Sequence, residues 1–290
     1  MYSNKFSSLS IKFPDVSTMN WLYRQRAALE KQLFPARAQR WRRWKQHDPA
    51  NATAIDHALL AEFLHRHVRL MPDGSSRVAY GEVPPADVDR LDRYLSICAA
   101  LPISSYNRAE QFAFWANVYN AATVRLVLAH YPLASIRRIG LVPIWLGGGP
   151  WNRAVITVEG FALSLNDIEH RVLRRNWRDP LIHFAVNCAS LGCPSLRRVP
   201  FSGVGLNAQL DAAARAFVNS PRGVRFEPDG IGVCSIYAWF REDFGDSDAG
   251  IVSHLQRYAA SPLAERLAQM PRVVGHHYDW HLNDAASAPS

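Results

Sequence analysis

The chain has 290 residues, 48% of them hydrophobic and 11% aromatic, enough to enclose a sizeable core in one large domain or two small ones. Its net charge of +8 is concentrated: residues 21–45 hold eight basic residues (Arg24, Arg26, Lys31, Arg37, Arg40, Arg42, Arg43, Lys45) and one acid, Glu30. The remainder is close to neutral, which argues against a specific nucleic-acid surface built into the main body.

No apolar run reaches the roughly 18 residues a transmembrane helix needs. The opening MYSNKFSSLSIKFPDVSTMN lacks the apolar centre of an export signal, so the compartment is open and the cytoplasm is the default expectation. Four cysteines are too few for a disulfide scaffold in a chain of this length. Cys98 and Cys234 read as small buried apolar residues.

Residues 1–20 are polar and are expected to be a flexible terminus. Residues 21–48 read as a basic helical arm, with Trp21, Leu22, Trp41 and Trp44 on its apolar side. Such an arm either contacts an anionic surface or docks its tryptophans on the domain while its arginines face water. Residues 49–290 are expected to form one domain. A helix is predicted over 57–68, a short strand over 77–83, and a helix from Pro84-Pro85 to about Ala100. The longest and most apolar helix is predicted over 107–131. Asn117 and Asn120 share one of its faces, near Trp115. Buried amides need partners, so these residues either tie the helix to neighbouring backbone or line a binding cleft.

Gly147-Gly148-Gly149 suggests a lid or turn, since the GK[ST] of a phosphate loop is absent. A hairpin over 153–163 then leads into the stretch richest in chemistry, Ser164 to Pro194, SLNDIEHRVLRRNWRDPLIHFAVNCASLGCP. Ser164 with Asp167 has the form of a helix start, and Leu165, Ile168 and Val172 repeat at helical spacing. Asp179-Pro180 ends that element, and 181–187 is predicted as a strand with His183 and Asn187 on one face. A helix at 207–219, a hairpin over 224–236, helices at 250–258 and 263–268, and a last strand over 273–280 complete the chain.

Cys188 is the candidate nucleophile, because it stands at the end of the predicted strand beside small residues that let another group approach its sulfur. A thiol attacks as its thiolate, which a neighbouring imidazole favours. His170 and His183 are the candidate bases, and Glu169, Asp167 or Asp279 could orient the ring. Asn187 or main-chain N–H groups could stabilise an oxyanion. Ser190 and Asp279 are candidate binding residues. Cys193, at C-x4-C, could resolve an oxidised Cys188 or pair with it. A zinc site from His170, His183, Cys188 and Cys193 is an alternative, although the usual C-x2-C pairs are missing. No metal or other cofactor is otherwise expected. Another alternative is a non-catalytic module that binds a protein, a peptide or a small ligand.

The segments FWANVYNA (114–121), LSLNDIEH (163–170), HFAVNCASLGCP (183–194) and YDWHLND (278–284) resemble the family DUF547, a domain of unknown function from bacteria and plants. The resemblance spans roughly residues 35–285. It implies no assigned activity, although fusion of some members to glutaredoxin-like domains associates the family with thiol chemistry. Many bacterial relatives are exported, unlike the expectation for this chain.

The expected fold is α+β, several helices around a small, mainly antiparallel sheet. A papain- or transglutaminase-like arrangement would suit a cysteine hydrolase or transferase with a peptide or small-molecule substrate. Those enzymes usually place Cys before His, whereas His170 and His183 precede Cys188 here. His254, His276, His277 and His281 are the later alternatives.

Overall fold

The computed structural model describes residues 16–31, 41–140 and 149–286. In chain order it begins with helix α1 (Val16–Lys31), a 3-10 turn (Arg42–Lys45), α2 (Ala58–His67), strands β1 (Val68–Leu70) and β2 (Ser76–Val78), α3 (Pro85–Ala100) and α4 (Arg108–Leu128). Next come β3 (Ala154–Val158), β4 (Phe161–Ser164), a π-helical turn (Asp167–Leu173) running into α5 (Arg174–Trp177), and the short α6 (Ile182–Ala185). The chain continues through α7 (Leu206–Val218), β5 (Val224–Glu227), β6 (Gly230–Cys234), α8 (Ser235–Trp239), a 3-10 turn (Arg241–Phe244), α9 (Asp248–Tyr258), α10 (Ser261–Gln269) and β7 (Val273–His277). The architecture is α+β. β1–β2 and β3–β4 are antiparallel pairs, while β5–β6–β7 forms a third sheet in which β6 and β7 run parallel.

Helix α4 is the axis of the core. The Asn107 side chain caps it by accepting from the N–H groups of Ala109 and Glu110. Every residue from Glu110 to Val124 is buried, so the helix is enclosed on all sides. Such a helix must satisfy its polar side chains internally. Asn117 donates to Phe201 O (2.8 Å) and accepts from Phe201 N (2.9 Å). Asn120 donates to Ala185 O (2.9 Å) and accepts from Asn187 N (2.8 Å). Each amide clamps a short piece of backbone, and the Asn120 clamp holds the chain just before Cys188.

The basic arm lies against the domain. α1 begins at Val16, within the stretch read as loose, and residues 1–15 and 32–40 fall outside the described residues. Glu30 accepts a hydrogen bond from the Trp239 indole (2.9 Å), and Tyr23 packs edge-on against His276. Trp44 is buried against Trp115, with ring centroids 5.0 Å apart, while Arg42 and Arg43 stay exposed.

Two expected strands are corrected. Residues 182–185 form α6 rather than a strand. Asp179 Oδ1 accepts from Leu181 N (2.8 Å), and Pro180 supplies a fixed φ, so the Asp-Pro pair that ends one helical segment also starts the next. His183 and Asn187 therefore do not share a strand face. The last strand stops at His277, so Tyr278 to Asp284 lies outside the sheet, with a bend at His281 and isolated bridges at Leu282 and Asp284, and His277 and Asp279 share no strand face. Gly147 and Gly148 lie outside the described residues.

Candidate functional site

The LSLNDIEH segment begins with a reciprocal cap. Ser164 Oγ accepts from Asp167 N (3.1 Å), and Asp167 Oδ2 accepts from Ser164 N (3.0 Å) and from Ser164 Oγ (2.7 Å). Leu165, Ile168 and Val172 are fully buried, as their spacing predicts. The turn then widens to a π-helix, a local geometry frequent at functional sites. It carries Glu169 and His170 inward.

The HFAVNCASLGCP segment folds as α6 followed by a tight turn. Asn187 pins the turn: its side chain donates to Pro194 O (2.7 Å) and accepts from Ala189 N (2.9 Å) and Asn283 Nδ2 (3.2 Å). Ala189, directly after Cys188, has a φ of 59°, a left-handed conformation unusual for a residue with a Cβ. The YDWHLND segment lies alongside, with Leu191 N bonded to His281 O (2.9 Å), Gly192 N to Asp279 O (2.8 Å) and Asn283 N to Ala189 O (3.1 Å). Gly192 permits this approach, because a Cβ there would lie 2.7 Å from Asp279 N and 2.9 Å from Tyr278 Cγ.

These two segments bring two sulfurs and two hydroxyls together. Cys188 Sγ lies 2.8 Å from Cys193 Sγ, 3.1 Å from Tyr278 OH and 3.2 Å from Ser190 Oγ. Cys193 Sγ is 3.0 Å from Tyr278 OH and accepts from Cys188 N (3.2 Å), and the two hydroxyls are 2.8 Å apart. Burial alone would raise both thiols. For Cys193 the donated bonds outweigh it: the Cys188 thiol, the Tyr278 hydroxyl and the Cys188 N–H bring it down to about 6. Cys188 moves up, through burial and the neighbouring Cys193 sulfur. The pair releases its first proton readily and holds its second. As whole residues, Cys188 is half-buried and Cys193 buried.

A second cluster faces the thiols across a cavity of about 30 Å³, lined by Cys188, Cys193, Tyr278, Glu169, His183 and Trp239, among others. That volume suits a single water. Burial raises Glu169 to about 7 against the pull of Arg174 and Tyr119, so it sits between its charged and neutral forms near neutrality. His183 Nδ1 is 4.0 Å from Glu169 Oε1, and its Nε2 lies 2.6 Å from Asp243 Oδ2. The His183 ring stacks on Phe240 at 4.5 Å. Burial lowers both His170 and His183, in His183 against the pull of the Asp243 carboxylate. Burial also works against the Asp243 charge, but bonds from His183 and Arg174 hold that carboxylate far below the usual range.

Cys188, Glu169 and His183 thus line one small space, with Ser190 behind it against Cys188 and Tyr278. The thiol's immediate partners are Cys193, Tyr278 and Ser190 rather than an imidazole. His170 lies beside Phe240, with its Nδ1 3.4 Å from Arg174. Asp279 faces outward and accepts from His281 N (2.8 Å) and Nδ1 (2.7 Å). Trp115 is packed between Trp44 and Phe114, and Asn117 and Asn120 are engaged with backbone. Among the described residues, no three or more His, Cys, Asp or Glu side chains are grouped as a metal site would require. Reading the sequence missed Tyr278, Asp243 and Arg174. Tyr278 opens a quoted motif, but Asp243 in WFREDF carries no local signal, because its partners lie about sixty residues earlier in the chain.

Residues 103–218 match the family model described as "Protein of unknown function, DUF547". That span contains FWANVYNA, LSLNDIEH and HFAVNCASLGCP, whereas YDWHLND lies beyond it. No curated protein and no solved structure matches the chain, so the papain- or transglutaminase-like arrangement stays an expectation.

Proposed function

We propose that this protein is a cysteine-dependent hydrolase or transferase acting on amide or thioester carbonyls, with Cys188 as nucleophile and Cys193 as its proton partner. The observation that carries this reading is the 2.8 Å contact between the sulfurs, with Tyr278 and Ser190 hydroxyls against the pair. A buried thiolate is costly unless donors replace the lost water, and here they do. In the resting state Cys193 carries the charge and Cys188 the proton. As Cys188 Sγ attacks the carbonyl carbon, its proton passes to Cys193 Sγ. The new C–S bond forms, the C–N or C–S bond of the substrate breaks, and the leaving group takes the proton from Cys193. Water or an acceptor amine or thiol then gives its proton to Cys193 and attacks the acyl group. Cys188 leaves and recovers the proton, which restores the starting state. Glu169, which burial brings near neutrality, lines the same cavity, and in this reading it orients the entering water.

Alkylation of Cys188 by iodoacetamide, followed by mass spectrometry as a function of pH, tests the reading. The labelling rate is expected to rise through a midpoint near 6, set by the shared proton. Cys193→Ser should move that midpoint up by about 2.5 units or more, to or above the ordinary thiol value of about 8.5. A midpoint unchanged by this substitution, or labelling no faster than that of an ordinary buried thiol, would remove the basis for catalysis and leave the binding-module reading.

A further inference from the structure

A hollow of about 800 Å³ opens on the outer side of the aromatic wall of the thiol cavity. Its size is that of a small-ligand site. Arg137 and Arg138, on the turn Ile136–Arg138, and Arg225 on β5 line it, and all three are exposed. Among the described residues no carboxylate is paired with any of them. The acid on the wall, Asp279, is held by His281 at 2.7 Å. Water-facing arginines gathered on a concave surface focus positive potential there and present forked donors suited to carboxylate or phosphate.

The hollow is joined to the sulfur site by shared side chains. Tyr278 and Trp280 line both spaces. The Arg137 guanidinium lies 5.1 Å from the Trp280 ring, while the Tyr278 hydroxyl touches both sulfurs. Ser135 Oγ donates to Trp280 O (2.6 Å) and Leu282 N to Ala134 O (2.9 Å), so the arginine turn is fixed to the segment that carries these rings.

We infer that this hollow is an anion subsite, and that the substrate of Cys188 is an acyl compound bearing a carboxylate or phosphate group seated on Arg137, Arg138 and Arg225. The inference rests on the thiol reading of the site. The two sources of negative charge share one chemistry of recognition, and they separate by experiment.

Calorimetric titration of the full chain with pyrophosphate and with succinate measures the subsite directly. At least one of the two should bind, and the better ligand identifies phosphate or carboxylate. Arg137→Ala/Arg138→Ala should weaken that binding about tenfold or more, the loss expected when two charge-assisted contacts go. Arg93→Ala, an exposed charge on α3, should leave it unchanged, and so should Cys188→Ser. Binding by neither anion, or equal binding by the double variant, overturns the inference.

The link to the sulfur is read from alkylation of Cys188 by anionic iodoacetate relative to neutral iodoacetamide. The ratio should fall about tenfold in the double variant if the arginines steer charge to the thiol. An unchanged ratio overturns the assignment of the hollow to the substrate. Anion binding without any alkylation would instead count against the thiol reading and leave the anion site standing.

Discussion

At the scale of single residues, a buried sulfur keeps a charge out of water only if hydrogen-bond donors surround it. Tyr278 offers one O–H to the pair and touches both sulfurs at 3.0 and 3.1 Å. Tyr278→Phe keeps the ring that packs on Trp239 and Trp280 and removes only that donor. The thiol midpoint read by alkylation should rise by about 1 unit, the size expected for one hydrogen bond to a charge. No shift would mean that the hydroxyl is a bystander. Cys188 stood out in the sequence because small residues surround it, and Cys193 was named there as a sulfur able to pair with it. The hydroxyl against both sulfurs, and the absence among the described residues of an imidazole beside Cys188, were not legible. A neighbouring histidine is the commoner way to ionise a thiol, and here His183 turns instead to Asp243 at 2.6 Å. Tyr278 stands ninety residues beyond Cys188, so only the fold reveals the contact.

At the scale of elements, two local devices hold the site. The first is the Asn120 clamp from α4 onto Ala185 O and Asn187 N. Asn120→Ala would strand one buried acceptor and one buried donor at about 1–3 kcal/mol each, so denaturant unfolding should register a loss of about 2–6 kcal/mol. A loss below about 1 kcal/mol would show that water replaces the amide. The second device is Gly192, against which the Tyr278 segment is laid. Gly192→Ala should push Tyr278 outward and raise the thiol midpoint in alkylation, whereas an unmoved midpoint would mean that the segment yields elsewhere. The capping pair Ser164 and Asp167 and the burial of Leu165, Ile168 and Val172 were readable from spacing alone, because a helix repeats locally. The segment over 182–185 was misread because the seven residues 181–187, of alternating character, fit strand and helix equally, and the helix-starting role of Asp179-Pro180 decided between them.

At the scale of the molecule, the α+β class followed from patterning, but the assembly of three motifs and the YDWHLND segment around one cavity did not. Sequence spacing carries no record of which turns meet across the core. The buried Glu169 gives this assembly a measurable signature. Its folded value of about 7 lies above the ordinary 4.5, so between those values the native state binds more protons than the unfolded chain. Its contribution therefore makes stability fall as pH rises through that window, by about 3 kcal/mol in total. Glu169→Gln, which cannot ionise, should abolish this loss, so the stability difference between the variant and the wild type should grow from pH 5 to pH 8, as urea denaturation at each pH would measure. A constant difference would place Glu169 in a solvated setting, at odds with its position in the cavity wall.

The most direct measurement is a titration of thiolate ultraviolet absorbance in the reduced full chain. Burial pushes Cys98 and Cys234 up to about 12 and raises Cys188 as well, so these three sulfurs stay silent through neutrality. One sulfur's worth of absorbance is expected to appear near pH 6 and to be lost in Cys193→Ser. Absorbance that first appears at or above the ordinary thiol value of about 8.5 would contradict a proton shared between Cys188 and Cys193.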